Sequence, residues 1–157
     1  MAVRNIKNGK DYPVFILENA YYPVTGATPP EATDPNWKLM VCLSTNALKV
    51  TINGIDTTTK CTDGWADSIP GDGSWEITAD GAAVDPASLE EVSADEIFDL
   101  ATGKTAFWAA IFDPTMSTYR VGVAFFSSFS ENFNNNEKYG FSVTLTGKGK
   151  IHRSTTT

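Results

Sequence analysis

The sequence has few of the side chains that most often carry catalysis or bind metals. Its 157 residues include one histidine and two cysteines. His152 stands beside a polar C-terminal stretch, so we expect a surface side chain rather than a metal ligand or a member of a Ser-His-Asp triad. No glycine-rich phosphate loop follows a strand pattern and opens a helix. These absences argue against an enzyme, and we predict no cofactor and no metal site.

Basic residues are also scarce: 12 lysines and arginines face 19 aspartates and glutamates, for a formal net charge of -7. This excess argues against holding nucleic acid by surface attraction, but it does not argue against a channel along which DNA slides. No apolar run is long enough to span a bilayer, and no secretory signal pattern is seen. We expect one domain over residues 1–157, without membrane binding.

Strand patterns dominate what is present, and they centre on Thr62–Val84. Turn dipeptides predict a loop over Thr62–Gly73, and alternation of residue type predicts a strand over Ser74–Val84. Asn53-Gly54 predicts a hairpin turn between Ala47–Ile55 and a returning strand. The remaining strands are predicted at Tyr12–Leu17, Trp37–Ser44, Lys104–Phe112, Tyr119–Phe129 and Tyr139–Ile151.

One helix is predicted after Ser93, which is a good N-cap with Glu96 three residues on, and Gly103 is a suitable stop. A Pro-rich segment, about residues 18–36, is read either as a surface loop or as an arm that reaches a neighbouring subunit. Residues 153–157 are predicted to be a flexible tail. The predicted fold is mainly β, a β-sandwich or partly open barrel with one short α-helix. Its expected core anchors are Trp75, Ile77, Phe98, Phe125 and Phe141.

Two stretches carry a resemblance to a known family. A loop with Trp65 and Pro70-Gly71 leads into Gly-Ser-Trp-Glu-Ile-Thr, and Thr144–Gly149 reads Thr-Leu-Thr-Gly-Lys-Gly near the end of the last strand. In this order the two stretches resemble the major tail tube proteins of long-tailed bacteriophages. The resemblance implies a structural virion protein whose strands join a shared inner barrel in a hexameric ring. Stacked rings would form the tail tube through which DNA is ejected into the host.

The resemblance also implies partners and a location. The chain is expected in the virion tail, assembled in the host bacterial cytoplasm. Its expected partners are other copies of itself, a tape measure protein, a tail terminator, tail-tip or baseplate proteins and a sheath protein if the tail contracts, with non-specific passage of double-stranded DNA. Cys42 and Cys61 could pair or stay free, and a reducing cytoplasm favours free thiols.

Two sets of residues receive roles from the resemblance. The polar strand face would line the lumen, through Glu76, Thr78, Asp80, Ser142, Thr144 and Thr146. The central hairpin and loop would contact the next ring, through Thr51, Asn53, Gly54, Asp56, Thr58, Trp65, Asp67 and Pro70. Arg120 and Lys148 do not fit an acidic lumen, so we expect them at rims or paired with carboxylates such as Glu76.

Two alternatives remain open at this level. The first is the tube protein of a contractile phage-tail-like bacteriocin or a type VI-like machine, which shares the fold. The second, from another class, is a β-sandwich carbohydrate-binding module. That module would need exposed aromatic side chains on one sheet face, for which Trp37, Trp108 and Tyr119 are the candidates.

Overall fold

A computed structural model describes residues 12–19, 22–24, 28–40, 43–61, 63–83, 91–113, 117–133 and 139–155. These form eight strands and one helix, in chain order β1 (Val14–Glu18), β2 (Lys38–Leu39), β3 (Leu43–Asp56), β4 (Ser68–Ala82), α1 (Ala94–Thr102), β5 (Phe107–Phe112), β6 (Thr118–Asn132), β7 (Gly140–Gly147) and β8 (His152–Thr155). The mainly β fold with one short helix is confirmed for this part of the chain.

The strands form one antiparallel sheet in the order β2-β1-β5-β6-β7-β4-β3, with β8 added beside β6. Strand β6 is the centre of this arrangement because its two halves have different neighbours. Its first half pairs with β5 on one side and β8 on the other, and its second half pairs with β7. The sheet does not close, and β2 and β3 are its edges among the described strands.

The sheet curls so that β1, β5 and the first half of β6 face β4 and β7 across the main core. Ile77, Phe107 and Leu145 are fully or almost fully buried there. The opposite face of β1 and β5 carries a second cluster that includes Leu17, Trp108 and Phe112. Strand β5 is therefore buried at every residue, as its near-continuous apolar sequence predicted.

The second cluster is covered by the described parts of the Pro-rich segment. Three aromatic donors hold this segment to the domain: Tyr119 Oη donates to the Pro30 carbonyl at 2.9 Å, Trp37 Nε1 to the Glu31 carbonyl at 2.9 Å, and Trp108 Nε1 to the Pro23 carbonyl at 3.3 Å. Pro30 is completely buried. In its described parts, the segment packs on its own domain, and its contact with a neighbouring subunit stays a prediction.

The Trp75 ring packs between its own strand, β4, and strands β6 and β7. Its indole lies against the backbone of Gly122 in β6 and Gly147 in β7, and its Nε1 donates to the Gly149 carbonyl at 3.0 Å. A Cβ atom at Gly122 would come within 2.5 Å of the ring, and one at Gly147 would overlap it. Glycine at both positions is thus required by the close approach of the ring to two strands.

The helix begins and ends as predicted. The Ser93 hydroxyl accepts a hydrogen bond from the Glu96 N–H at 3.1 Å, and Gly103 is the C-cap. The Glu96 carboxylate does not complete a capping box in this structure but lies 3.0 Å from Lys38 Nζ, which also contacts Glu18 at 3.3 Å. Burial lowers the pKa of Lys38, but the hydrogen bonds and charges of Glu96 and Glu18 outweigh it and raise the pKa overall.

The predicted turn at Asn53-Gly54 is wrong, because both residues lie inside β3. The chain turns instead between Thr57 and Asp67, and β4 already begins at Ser68, inside the predicted loop. Pro70 is tolerated in β4 because pairing with β7 starts only at Glu76, so this part of β4 has a partner on one side alone. The Asn53-Gly54 signal coincides with a register shift between Ile52 and Gly54.

Two of the expected core anchors are wrong, while Trp75, Ile77 and Phe141 are buried. Phe98 is 50% exposed and packs edge-to-face on Phe129 at the side of the sheet. Phe125 is 37% exposed because the second cluster ends at Val123, so the next side chain on that face of β6 meets solvent. Because β6 is packed on both faces from Val121 to Ala124, the sequence pattern does not show that one face becomes exposed at Phe125.

The C-terminal tail was also predicted wrongly in part. Residues 153–155 belong to β8, which pairs in register with Thr118–Val121 of β6. Residues 156 and 157 of the predicted tail lie outside the described part of the chain, as does Cys42. Cys61 is exposed and carries a free thiol.

We predict that Gly147→Ala destabilises the domain by about 1–3 kcal/mol, because the new methyl group must displace the Trp75 ring. Gly54→Ala is the matched control, since a Cβ there would meet nothing closer than Ser68 Cβ at 3.8 Å. Urea denaturation of both variants, followed by tryptophan fluorescence, gives the free energies of unfolding. Equal stability of Gly147→Ala and Gly54→Ala would contradict the packing described for Trp75.

Candidate assembly surfaces

The polar face of the sheet is a continuous surface across β3, β4, β7 and β6. The six predicted lumen residues lie on it as three directly opposed pairs: Glu76 with Thr146, Thr78 with Thr144, and Asp80 with Ser142. The flanking strands extend each row, with Lys49, Ala47 and Thr45 on β3 and Phe125, Ser128 and Ser130 on β6. We call this surface the hydroxyl face, because most of its side chains are serine or threonine.

A bulge in β6 shapes the hydroxyl face, and sequence reasoning missed it. The register shifts between Phe126 and Ser128, which leaves Ser127 as the extra residue. The Ser127 hydroxyl donates to the Thr144 carbonyl at 3.1 Å and accepts from Thr146 Oγ1 at 2.7 Å. The bulge lets Phe126 and Phe129 both pack on the main core, although strict alternation would put residues at this spacing on opposite faces.

Hydrogen bonds also fix the opposite edge of this face. Thr45 Oγ1 donates to Asp80 Oδ2 at 3.1 Å, and Ser44 Oγ donates to the Asp80 carbonyl at 3.1 Å. The carboxylates of Glu76 and Asp80 are thereby set among hydroxyl groups, with Lys49 directly opposite Glu76 on β3. Such a face presents small polar groups and a low density of charge.

The second surface is a two-stranded ribbon formed by residues 50–61 and 63–74, which we call the β-arm. Its strands pair with each other, and pairing of β4 with β7 begins only beyond it. All eight predicted inter-ring residues lie in the β-arm and are exposed: Thr51, Asn53, Gly54, Asp56, Thr58, Trp65, Asp67 and Pro70. Trp65 is 80% exposed.

The turn of the β-arm is held by its own hydrogen bonds. Thr57 N–H donates to the Asp67 carbonyl at 2.9 Å, and Asp67 N–H donates to Thr58 Oγ1 at 2.8 Å. The Asp56 carboxylate accepts from Thr58 N–H at 2.8 Å, and hydrogen bonding by Thr58 lowers the pKa of that carboxyl. These hydrogen bonds fix the base of the exposed turn, at residues 56–58 and Asp67.

Four aliphatic side chains of the β-arm are at least half exposed: Val50, Ile52, Ile55 and Ile69. Val50 and Ile52 continue the apolar side of β3 that at Leu48 packs against the core. The alternation of Leu48, Val50 and Ile52 in the sequence puts the three side chains on one face of the strand. The core-facing side of the sheet thus runs beyond the core with nothing of the described chain over it.

The aromatic residues considered for a sugar platform are not exposed. Trp37, Trp108 and Tyr119 are buried to 7%, 2% and 6% exposure in the second cluster. Their polar atoms are engaged by backbone carbonyls of the covering segment. They cannot form a flat carbohydrate-binding surface in this arrangement.

The described residues bring no group of three or more histidine, cysteine or carboxylate side chains together at metal-binding distance. Among the same residues, no helix is long and apolar enough to cross a membrane.

A family comparison identifies the chain. The family model of the phage tail tube protein matches residues 27–153, which is most of the sequence. The chain belongs to the phage tail tube protein family. It is a structural tail component by family, and no curated protein sequence matches it.

Solved structures share the fold of this tail tube protein at low sequence identity. A chain from the virion of a native gene transfer agent particle superposes with a TM-score of 0.71 at 13% identity, covering 95% of this chain and 99% of that one. The SPP1 tail tube gives 0.65 at 12% identity, covering 94% and 78%. The baseplate of the anti-feeding prophage contains a chain that gives 0.63 at 10% identity, covering 99% and 98%.

The Tyr139 phenol should lose its proton at a higher pH than an ordinary tyrosine does. Its hydroxyl donates a short hydrogen bond to the Glu131 carboxylate, and this bond, with burial and the charges of Glu131 and Asp95, raises the pKa of Tyr139 to about 12. The phenol therefore favours folding below its unfolded pKa of about 10, and this contribution is lost as the pH rises through the folded value.

We expect Glu131→Gln to bring the titration of Tyr139 back toward pH 10, because it removes the charged acceptor. The ultraviolet absorbance of tyrosinate, recorded against pH, measures this. Tyr139→Phe is the control, since it should delete the step near pH 12. If the step persists in Tyr139→Phe, another tyrosine is responsible.

Proposed function

We propose that the protein forms hexameric rings that stack into a tail tube, the conduit through which DNA passes into the host. The observation that carries this proposal is the division of the sheet into a hydroxyl face and an uncovered apolar β-arm. A polar sheet face is ordinary in water, but the exposed aliphatic side chains of the β-arm favour a partner, and a tube needs both a wall that does not hold DNA and a contact that joins subunits.

The hydroxyl face suits the lumen because of its chemistry. Glu76 and Asp80 repel phosphates, and the surrounding serine and threonine hydroxyls are small and uncharged. A wall of this kind lets a polyanion slide, whereas a row of lysines or arginines would hold it through counterion release. We assign Glu76, Thr78, Asp80, Ser142, Thr144 and Thr146 to the lumen on this ground.

The β-arm suits a contact with the next ring. Its exposed aliphatic side chains need a cover, and its ordered turn projects Trp65 into solvent. A contact between different surfaces of identical subunits repeats without closing, which is the geometry of a growing filament. We assign the β-arm, including Thr51, Asn53, Gly54, Asp56, Thr58, Trp65, Asp67 and Pro70, to contacts between rings.

Six-fold symmetry is supported by a similar assembly, and the wider set of partners is what the family resemblance implies. One similar chain, with a TM-score of 0.72 at 14% identity, belongs to the tail of an empty gene transfer agent particle treated with C6 symmetry. On this basis, the proposed tube would contact a tape measure protein, a terminator and tail-tip or baseplate proteins. A sheath protein would be added if the machine is contractile, since contractile and non-contractile tubes share the fold.

Assembly should protect Trp65. It is the exposed one of the four tryptophans, since Trp37, Trp75 and Trp108 are buried. Acrylamide should quench one accessible fraction of the fluorescence in the free protein, and that fraction should fall in sedimented tubes. Trp65→Phe should remove the accessible fraction from the free protein. Undiminished quenching in tubes that electron microscopy confirms would contradict the role of the β-arm.

Charge reversal on the hydroxyl face should slow DNA passage without preventing folding. We expect Glu76→Lys particles to form tubes of normal length but to release DNA more slowly, because a lysine attracts phosphate. Glu76→Gln is the matched control, which removes the charge without reversing it. Infectivity and DNA release in vitro are the measurements, and wild-type values for Glu76→Lys would refute the lumen assignment.

A further inference from the structure

Four exposed basic side chains gather toward one end of β6: Arg120, Lys148, Lys150 and Arg153. Arg120 and Arg153 lie directly opposite each other on β6 and β8, and both line one pocket. The Lys148 N–H donates to the Val123 carbonyl of β6 at 2.7 Å, which sets its place in the same region. Like charges directly opposed on neighbouring strands repel, so this arrangement is unfavourable in an isolated chain.

None of these four side chains forms an ion pair with another described residue. Among the described residues, the ion pairs join Lys38 to Glu18 and to Glu96. Asp113 also lines the pocket, but its carboxylate accepts hydrogen bonds from the backbone of Ser117 and Thr118 and from the Ser117 hydroxyl. The charge of the two arginines is therefore not matched by a described carboxylate at ion-pair distance.

The other end of β6 is acidic. Glu131 lies near the last residue of β6, and Asp95 in the first turn of α1 is close enough to help raise the pKa of Tyr139. At the rise of a strand, Glu131 is roughly 35 Å from Arg120. That separation is several times the Debye length of about 8 Å in physiological salt, so the two ends of one chain cannot neutralise each other.

We propose that the basic end of one copy, formed by Arg120, Lys148, Lys150 and Arg153, docks onto the acidic end of the next copy, at Asp95 and Glu131. The proposal rests on the proposed tube function, and the docking of opposite ends would set the direction in which copies stack. Two basic ends or two acidic ends would repel each other, so the charges allow copies to add in one orientation alone. The contact joins different surfaces and can repeat indefinitely.

A second copy fits this surface better than duplex DNA does. The basic patch is small, and it belongs to a chain of net charge -7. Sustained binding of a duplex requires several phosphates to be neutralised along a surface that is not itself repulsive. The acidic end of another copy presents carboxylates on a similarly small patch.

The test uses two complementary charge reversals in the full-length protein. Arg120→Glu/Lys148→Glu/Arg153→Glu leaves one lysine against three glutamates and so has two acidic ends, and Asp95→Lys/Glu131→Lys has two basic ends. We expect each variant alone to need a concentration about tenfold higher than the wild type for tube assembly, measured by sedimentation and negative-stain electron microscopy. An equimolar mixture should assemble near the wild-type concentration, because the two variants attract each other.

Controls separate charge from folding. Circular dichroism and urea denaturation should show both variants folded, and Lys104→Glu, which reverses one exposed charge outside both charged ends, the hydroxyl face and the β-arm, should assemble as the wild type does. Arg153→Glu makes the same single charge change at the basic end, and it should need a higher concentration than the wild type for assembly. If a charge-reversal variant fails to fold, Arg153→Gln and Asp95→Asn replace it and should each weaken the salt dependence of assembly.

The outcomes distinguish this proposal from the proposed function. Unchanged assembly of both folded charge-reversal variants, or no recovery in their mixture, would overturn the docking of opposite ends. Absence of tubes in the wild type would count against the proposed function instead. In that case, sedimentation velocity at low salt should still show larger species in the mixture than in either variant alone, and equal sizes would overturn the docking proposal.

Discussion

The packing of one indole ring on two glycines is the constraint on which the rest of the structure depends. Trp75 lies where β4 leaves the sheet to become the β-arm, against Gly122 of β6 and Gly147 of β7. Its Nε1 holds the Gly149 carbonyl, in the short connection between β7 and β8. One side chain therefore sets the distance between the layers, the path of the chain into β8 and the point from which the β-arm projects.

The central position of β6 explains why two surfaces of different chemistry occur in one small domain. From Val121 to Ala124 the strand packs on both faces, between the main core and the second cluster. Its second half is buried on one face, and the Ser127 bulge keeps the other face polar. The change from two-sided to one-sided burial along a single strand separates the packed body of the domain from the hydroxyl face.

Local patterns in the sequence predicted the features that depend on local physics. The capped helix after Ser93, the buried β5 and the alternation along β4 and β7 follow from side-chain period and capping chemistry. The six hydroxyl-face residues could be grouped because each strand alternates, although their pairing across strands could not be derived. The family resemblance, and not any residue pattern, connected this face to a tube.

The errors arose where a neighbour outside the local window decided the outcome. Asn53-Gly54 is a strong turn signal, yet pairing with the facing strand kept it extended. Phe98 and Phe125 have the residue type of a core and lie where the core ends. Residues 153–155 have no apolar pattern, but the free side of β6 offered them a ladder of backbone hydrogen bonds.

The two sheet edges differ greatly in length, and this asymmetry bears on the life of the subunit before assembly. One edge strand, β2, has two residues, whereas the other, β3, has 14 and continues into the apolar β-arm. A long open edge beside exposed aliphatic side chains is a template for pairing with any extended chain. The unassembled subunit is accordingly the form most open to unwanted strand pairing, and covering this edge in an assembly would remove that hazard.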